Sequence, residues 1–184
     1  SLIFIPIGAL LTAIFTFLFS RKYLSWKETY FYCFFGYATH GLLDACTSYG
    51  TQLFWPFSDE RISWNNISVV DPLLTVPIII FIIISILKKN KFITLFGVFY
   101  IFLYLGIGVF QENRAEKLGK SIAIMRGHES KRLTVKPSLG NLFLWKSIYE
   151  DDGFYYVDAV RLLSKLEYCQ GTKIKKLDTS NNFM

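Results

Sequence analysis

The residues with the clearest chemical potential are His40 and Asp44, in the stretch THGLLD. They are four positions apart, which on a helix places an imidazole and a carboxylate on one face, about one turn apart. Both groups are good ligands for a borderline divalent metal such as Zn²⁺. The spacing alone leaves three interpretations open: a metal site, an Asp44 that holds the tautomer of His40, and a His40 that reaches toward lipid headgroups.

Asp71 is the second acidic residue of interest. It precedes Pro72 at the start of an apolar run, which predicts a helix N-cap followed by proline at the first helical position. The topology given below places Asp71 on the same membrane face as His40 and Asp44. The alternative role is therefore a third metal ligand, or a catalytic general base beside the metal.

Three further polar residues are candidates for substrate binding. Thr47 and Ser48 supply hydroxyls in a loop whose aromatic residues suit a belt at a membrane interface. Arg114 follows the last apolar run and could hold a phosphate bidentately, or it could be an interfacial anchor. The sequence has no Gly-rich phosphate loop, GxSxG elbow or HExxH motif, which argues against a nucleotide-dependent motor, an α/β-hydrolase and a zincin.

The composition indicates a membrane protein. Of 184 residues, 52% are hydrophobic and only 18% are charged, against roughly 25% charged in average soluble chains. This excludes a disordered chain, and three cysteines exclude a small disulfide scaffold. The formal net charge is +6, but Lys and Arg gather at the ends of apolar runs, where they set topology or contact headgroups. We therefore expect the bilayer as partner and no nucleic acid.

Four apolar runs have lengths near that of a membrane span: residues 2–19, 29–43, 67–87 and 92–110. The predicted fold class is an all-α membrane helix bundle of about four spans with a small C-terminal β-rich extension.

This prediction divides the chain into three parts. Residues 1–110 would be the transmembrane domain with the candidate site, and residues 111–130 an interfacial helix. Residues 131–184 would be a small antiparallel β extension, with strands up to residue 161 and a frayed end after residue 163.

The loop charges predict the orientation in the membrane. Basic turns at 21–27 and 88–91 belong in the cytoplasm by the positive-inside rule. We therefore expect a multi-pass protein of a bacterial inner membrane, with the candidate site on the non-cytoplasmic face.

The motifs THxxxD, TSYGT, WPFS and DPLLT, which lie in this order between residues 39 and 75, resemble the YdjM-like family of bacterial inner-membrane proteins, described as metal-dependent hydrolases. Residues 111–115 and 131–145 also resemble the family. The family is similar, more remotely, to the zinc-dependent phospholipase C and P-one nuclease group. The resemblance implies His40 and Asp44 as metal ligands, with Asp71 as a further ligand or orienting acid. It also implies that the chain opens just after the family's HRxxTHS motif, whose histidines would supply other ligands in the parent protein.

Two functions are expected from these observations. The first is a membrane-bound metal-dependent hydrolase, in which metal-activated water attacks a phosphoester-like bond, with a lipid-linked substrate favoured by the membrane setting. The metal would be divalent, with zinc the first choice. The alternative is a non-catalytic membrane scaffold or stress-response partner, in which His40, Asp44 and Asp71 form a polar network joining helices. A transporter is the weaker third option, because no pair of broken helices is evident.

Overall fold

The computed structural model describes residues 1–163 and 166–177. Within it the chain forms two compact units, Ser1–Trp64 and Asn65–Met184.

The first unit is a pair of helices closed by a loop. A 3₁₀ turn at Leu2–Phe4 leads into α1 (Ile5–Ser20), and a short basic turn leads into α2 (Trp26–Ala45). A capping box starts α2: the Ser25 hydroxyl accepts a hydrogen bond from the Glu28 amide, and the Glu28 carboxylate accepts one from the Ser25 amide at 2.8 Å. These bonds satisfy donors that a helix N-terminus otherwise leaves unpaired.

Small residues let α1 and α2 approach closely. Ala9 and Ala13 are fully buried on α1. At Gly8 a methyl group would collide with the ring of Tyr37 on α2, so only glycine leaves room for this aromatic side chain.

The loop after α2 folds back onto the helix ends. Thr51 and Ile62 pair as an antiparallel bridge, and the Trp64 amide donates to the Ala45 carbonyl at 2.8 Å. The Leu2 amide donates to the Leu53 carbonyl, also at 2.8 Å. These bonds hold the start of α1 beside the end of α2, where His40 and Asp44 lie.

The second unit begins with a helical hairpin. Its helices are α3 (Pro72–Lys88) and the longer α4 (Lys91–Met125). Lys89 ends α3 with φ of 48°, and the Asn90 side chain then accepts a hydrogen bond from the Phe92 amide at 2.9 Å to start α4. A left-handed residue followed by an Asn cap allows the sharp reversal between the two helices.

An antiparallel sheet completes the second unit. Its strands are β1 (Lys131–Pro137), β2 (Leu144–Asp151), β3 (Phe154–Leu162) and β4 (Leu166–Lys175), in the spatial order β1-β2-β3-β4. The sheet packs on the second half of α4, where Ala115, Gly119, Ile122 and Ala123 are buried. They face a core made by the fully buried side chains Trp145, Tyr149 and Val160.

The predicted all-α membrane bundle of about four spans is wrong. The chain is a mixed α/β protein, with 52% of its residues in helices and 21% in the four-stranded sheet. In the described part of the chain, only two helices are long and apolar enough to be candidate spans, Leu2–Ser20 and Lys91–Met125. The helix at 72–88 has 17 residues and is shorter than these, and α2 carries ionisable residues in its first and last turns.

The sheet also extends beyond the strands that the sequence predicted. Strands up to residue 161 were expected, with a frayed end after residue 163. β4 (Leu166–Lys175) lies in that predicted frayed end. The sequence did not indicate a strand there because the segment shows no regular alternation of apolar and polar residues. The part of that predicted end at residues 164–165 and 178–184 lies outside the described residues. Residues 111–130 were expected to form an interfacial helix; residues 111–125 form the second half of α4, which ends at Met125. Whether this half lies at a membrane interface stays a prediction.

Candidate functional site

His40 and Asp44 face each other on the last turns of α2. The Nε2 atom of His40 lies 3.5 Å from Oδ2 of Asp44, and the two side chains are 71% and 50% exposed. The capped start of α2 and the bonds of the following loop fix the position of these turns. The pair therefore presents a ring nitrogen and a carboxylate oxygen to solvent from one helix face.

A cavity of about 200 Å³ lies at this pair. Tyr37 lines it and was not predicted, although it stands three positions before His40 and so falls on the same helix face. Thr51 joins the lining from the loop after α2. The complete lining consists of Ser1, Leu2, Ile5, Tyr37, His40, Gly41, Asp44, Thr51 and Leu53.

The separation of the two donor atoms suits a shared metal ion. Two ligand atoms, each about 2.0–2.2 Å from a tetrahedral Zn²⁺, lie roughly 3.4 Å apart. The observed 3.5 Å between His40 and Asp44 matches that edge. Among residues 1–163 and 166–177, however, no group of three or more His, Cys, Asp or Glu side chains could hold a metal. The pair fits part of a coordination sphere and leaves the rest to other ligands.

Thr47, predicted to bind substrate, is occupied by the backbone at the end of α2. Its hydroxyl donates to the Asp44 carbonyl at 2.7 Å and is buried. This bond caps the helix end and holds the backbone of a candidate ligand. The hydroxyl oxygen of Ser48, the neighbouring candidate, is buried with no hydrogen-bond partner in the described part of the chain.

Asp71 is a helix cap in the structure. One carboxylate oxygen accepts hydrogen bonds from the amides of Leu73 and Leu74 at 3.1 and 3.4 Å. The other accepts a bond of 2.7 Å from the hydroxyl of Tyr104 on α4. The residue is only 4% exposed, so its carboxylate is engaged in joining the start of α3 to α4.

The sequence analysis missed the tyrosines of α4. Tyr104 binds Asp71, and the hydroxyl of Tyr100 donates to the Leu73 carbonyl. Their spacing of four positions, inside an apolar helix, places both hydroxyls on one face. That pattern was the available signal for a polar contact with a neighbouring helix.

Arg114, which the sequence offered as a phosphate ligand or an interfacial anchor, contacts Gln111 and the end of β3 in the structure. Its binding of phosphate stays a prediction. Its guanidinium donates to the side-chain oxygen of Gln111 at 2.8 Å and to the Leu163 carbonyl at 3.3 Å. The buried amide nitrogen of Gln111 in turn donates to the carbonyls of Leu142 and Leu162, each at 3.3 Å. Together the two side chains fasten two loops of the sheet to α4.

The comparisons with known proteins identify the family. A family model described as YdjM inner membrane protein matches residues 1–115. The chain belongs to the YdjM family. The resemblance seen in the sequence motifs is thereby confirmed, and the YdjM match covers His40, Asp44, Asp71 and Arg114. No curated protein and no solved structure matches the chain at a significant level.

The two candidate spans have exposed apolar surfaces, as expected for a family of inner membrane proteins. In each of them only 17% of the most apolar stretch is buried. A core helix of a soluble protein would bury most of such a stretch, whereas a helix in a bilayer exposes it to lipid. The family and these apolar helices therefore support a membrane location.

A second polar cluster lies beyond the YdjM match, between the end of α4 and the sheet. The Arg126 guanidinium binds both carboxylate oxygens of Asp158, at 2.7 and 3.0 Å, and also donates to the Tyr149 hydroxyl at 3.1 Å. The hydrogen bonds to Asp158 raise the pKa of Arg126, and burial raises the pKa of Tyr149. Nδ1 of His128 lies 2.9 Å from the same hydroxyl. Because its members are largely buried, this cluster is a structural link.

Proposed function

We propose that this member of the YdjM family is a membrane-bound metal-dependent hydrolase in which His40 and Asp44 are two of the metal ligands. The observation that supports this most directly is the 3.5 Å separation of their donor atoms beside a cavity of about 200 Å³. A divalent metal, zinc by the donor chemistry, would supply Lewis acidity that makes water a nucleophile near neutral pH.

Residues of this chain would hold the substrate beside the metal. Tyr37 and Thr51 line the same cavity as the ligands, and each carries a hydroxyl of the kind that donates hydrogen bonds to the oxygens of a phosphoester. The apolar side chains of Leu2 and Ile5 complete the lining next to an apolar helix, which favours a lipid-linked substrate. Thr47 would act through the helix end, because its hydroxyl holds the Asp44 carbonyl.

We also propose that the protein is multi-pass and that the cavity lies on the non-cytoplasmic face of the membrane. Arg21, Lys22 and Lys27 follow α1, and the positive-inside rule places that end of the helix in the cytoplasm. The cavity lies at the other end of α1, where Leu2 bonds to the loop.

A second candidate function is a non-catalytic membrane scaffold or stress-response partner held by polar contacts. The geometry of Asp71 favours it, since both carboxylate oxygens accept hydrogen bonds within the helical hairpin. Under this proposal Asp71 joins α3 to α4 and takes no part in chemistry. A role of Asp71 as general base or third ligand, the alternative expected from the sequence, would fall to a buried carboxylate that already accepts three hydrogen bonds.

Metal content separates the two functions. We would purify the protein from membranes and measure bound metal by mass spectrometry. The test variant is His40→Ala with Asp44→Ala. The control is His128→Ala with Asp151→Ala, a matched pair whose Nε2 and Oδ2 atoms are 4.0 Å apart.

The hydrolase proposal expects about one zinc per chain in the wild type and in the control. Loss of two ligands should lower metal content about tenfold or more in the test variant. Equal, near-zero metal in all three proteins would reject the metal and favour the scaffold.

A further inference from the structure

The sheet of the second unit has an apolar end and a charged end. β1 and β3 finish, and β2 and β4 start, at one end. Exposed apolar side chains collect there, and we name them the proximal rim: Leu139, Phe143, Leu144, Leu163 and Leu166. At the opposite end the turns carry mostly charged residues, namely Glu129, Glu150, Asp151, Asp152, Lys175 and Lys176. The division is not complete, because Ile174 and Leu177 are exposed at the charged end and the ion pair Arg161–Glu167 is exposed beside the rim.

The strands run alongside the second half of α4. Gln111 bonds to the carbonyls of Leu142 and Leu162, next to the proximal rim. Two turns further along α4, Gly119 lies against Ser147 in the middle of β2, and just after the helix the Glu129 amide donates a hydrogen bond of 3.0 Å to Asp151 at the charged end. The proximal rim is therefore level with Gln111.

Gln111 stands where the apolar part of α4 ends. The uncharged residues 92–110 span about 28 Å at ~1.5 Å per residue. This length is close to the thickness of the hydrocarbon core of a bilayer, which is roughly 30 Å. In a membrane the proximal rim is therefore at the height of the lipid headgroups.

We propose that the proximal rim is immersed in the membrane interface, so that the sheet is seated on the bilayer by its apolar turns. The occupant of this apolar surface is lipid because the rim continues the exposed surface of the candidate span. Arg114 makes the connection: its guanidinium lies 5.7 Å from the centre of the exposed Phe110 ring and bonds to the Leu163 carbonyl. Leu139, which is 75% exposed, projects from the turn between β1 and β2.

This arrangement explains the uneven distribution of residues in the sheet. Apolar side chains exposed at a turn in water are unfavourable, whereas at the level of the headgroups they gain burial and the charged end stays in water. The proposal requires the membrane location but not the metal site, so the two can fail separately.

The test compares labels at the two ends of the sheet in the full chain. Single cysteines replace Leu139 at the rim and Glu129 at the charged end, in a background with Cys33→Ser and Cys169→Ser that keeps the buried Cys46. An environment-sensitive fluorophore is attached, and the protein is reconstituted in phosphatidylethanolamine and phosphatidylglycerol vesicles. Lipids brominated near the start of the acyl chain serve as quenchers, and far-UV circular dichroism checks the fold.

We expect a blue-shifted label at position 139 that brominated lipid quenches about twofold or more, and little quenching at position 129. Phe143→Cys should behave like Leu139→Cys, so the result does not depend on one variant. Equal, weak quenching at both ends of the sheet would overturn the proposal. So would a rim label whose burial disappears when protein is diluted in lipid, because a second copy would then be covering the rim.

Discussion

Replacing Asp71 by alanine removes two kinds of contact at once. The carboxylate caps α3 through the amides of Leu73 and Leu74, and it accepts a 2.7 Å bond from Tyr104. The substitution therefore leaves the amides of Leu73 and Leu74 without this acceptor, and it leaves the buried hydroxyl of Tyr104 without its partner.

The magnitude follows from these contacts. Loss of a helix N-cap costs about 1 kcal/mol. A hydrogen bond between membrane helices is worth ~0.6 kcal/mol on average and up to ~1.7 kcal/mol, and the charged acceptor places the Tyr104 bond in the upper part of that range. We expect Asp71→Ala to lower the free energy of unfolding by about 2–3 kcal/mol. Asp71→Asn should cost about 1 kcal/mol, since asparagine also caps helices.

A double-mutant cycle measures the link directly. Unfolding would be followed by the helical circular dichroism signal as dodecyl sulfate is titrated into mixed micelles. Asp71→Ala and Tyr104→Phe should be non-additive by about 1 kcal/mol, because each removes the same bond. Tyr100→Phe is the matched control: its hydroxyl donates to the Leu73 carbonyl, so its effect should add to that of Asp71→Ala.

Additive effects of Asp71→Ala and Tyr104→Phe would refute this reasoning. So would a cost below about 0.5 kcal/mol for Asp71→Ala, which is less than the smallest expected cap contribution. Either result would mean that the carboxylate does not link the two helices of the hairpin.

Two further predictions concern other contacts. Asp158→Ala should lower the free energy of unfolding by about 3 kcal/mol, because it leaves the largely buried Arg126 guanidinium without its bidentate partner; denaturation followed by near-ultraviolet circular dichroism measures this, and a loss below about 1 kcal/mol contradicts it. The hydrogen bonds from Ser25 lower the pKa of Glu28 below its ordinary 4.5. Its carboxylate thus stabilises the folded state above the unfolded pKa, and this contribution is lost as pH falls through the lower folded pKa. Thermal melting from pH 6 downward should therefore show a smaller acid destabilisation in Glu28→Gln than in the wild type, and equal pH profiles would contradict it.

Local patterns in the sequence predicted local structure well. Asp71 before Pro72 predicted a cap, and the structure has that cap. The spacing of His40 and Asp44 predicted a shared helix face, and their side chains do meet. These features depend on a few neighbouring residues, whose preferred conformations act over one or two helical turns.

The fold class could not be read from such patterns. Apolar runs were counted as four spans, whereas the described part of the chain has two candidate spans and a sheet that shares its core with α4. β4 has no apolar alternation and is exposed along its length. It is a strand because the backbone of β3 supplies its hydrogen-bond partners. The residue pattern of one segment does not show which other segment will pair with it.

The sequence by itself determined that Asp71 caps the helix beginning at Pro72, that residues 2–19 and 92–110 are apolar enough for a bilayer, and that an imidazole and a carboxylate share a face. Only the tertiary structure decided how side chains were used. It committed Asp71 to Tyr104 and Arg114 to Gln111, and it paired His40 with Asp44 beside a cavity. The physical reason is that capping and hydropathy act between neighbours in the chain, whereas the partners of a buried polar group lie far along it: Leu162 is 51 positions from Gln111, and Gly140 is 72 positions from Ser68.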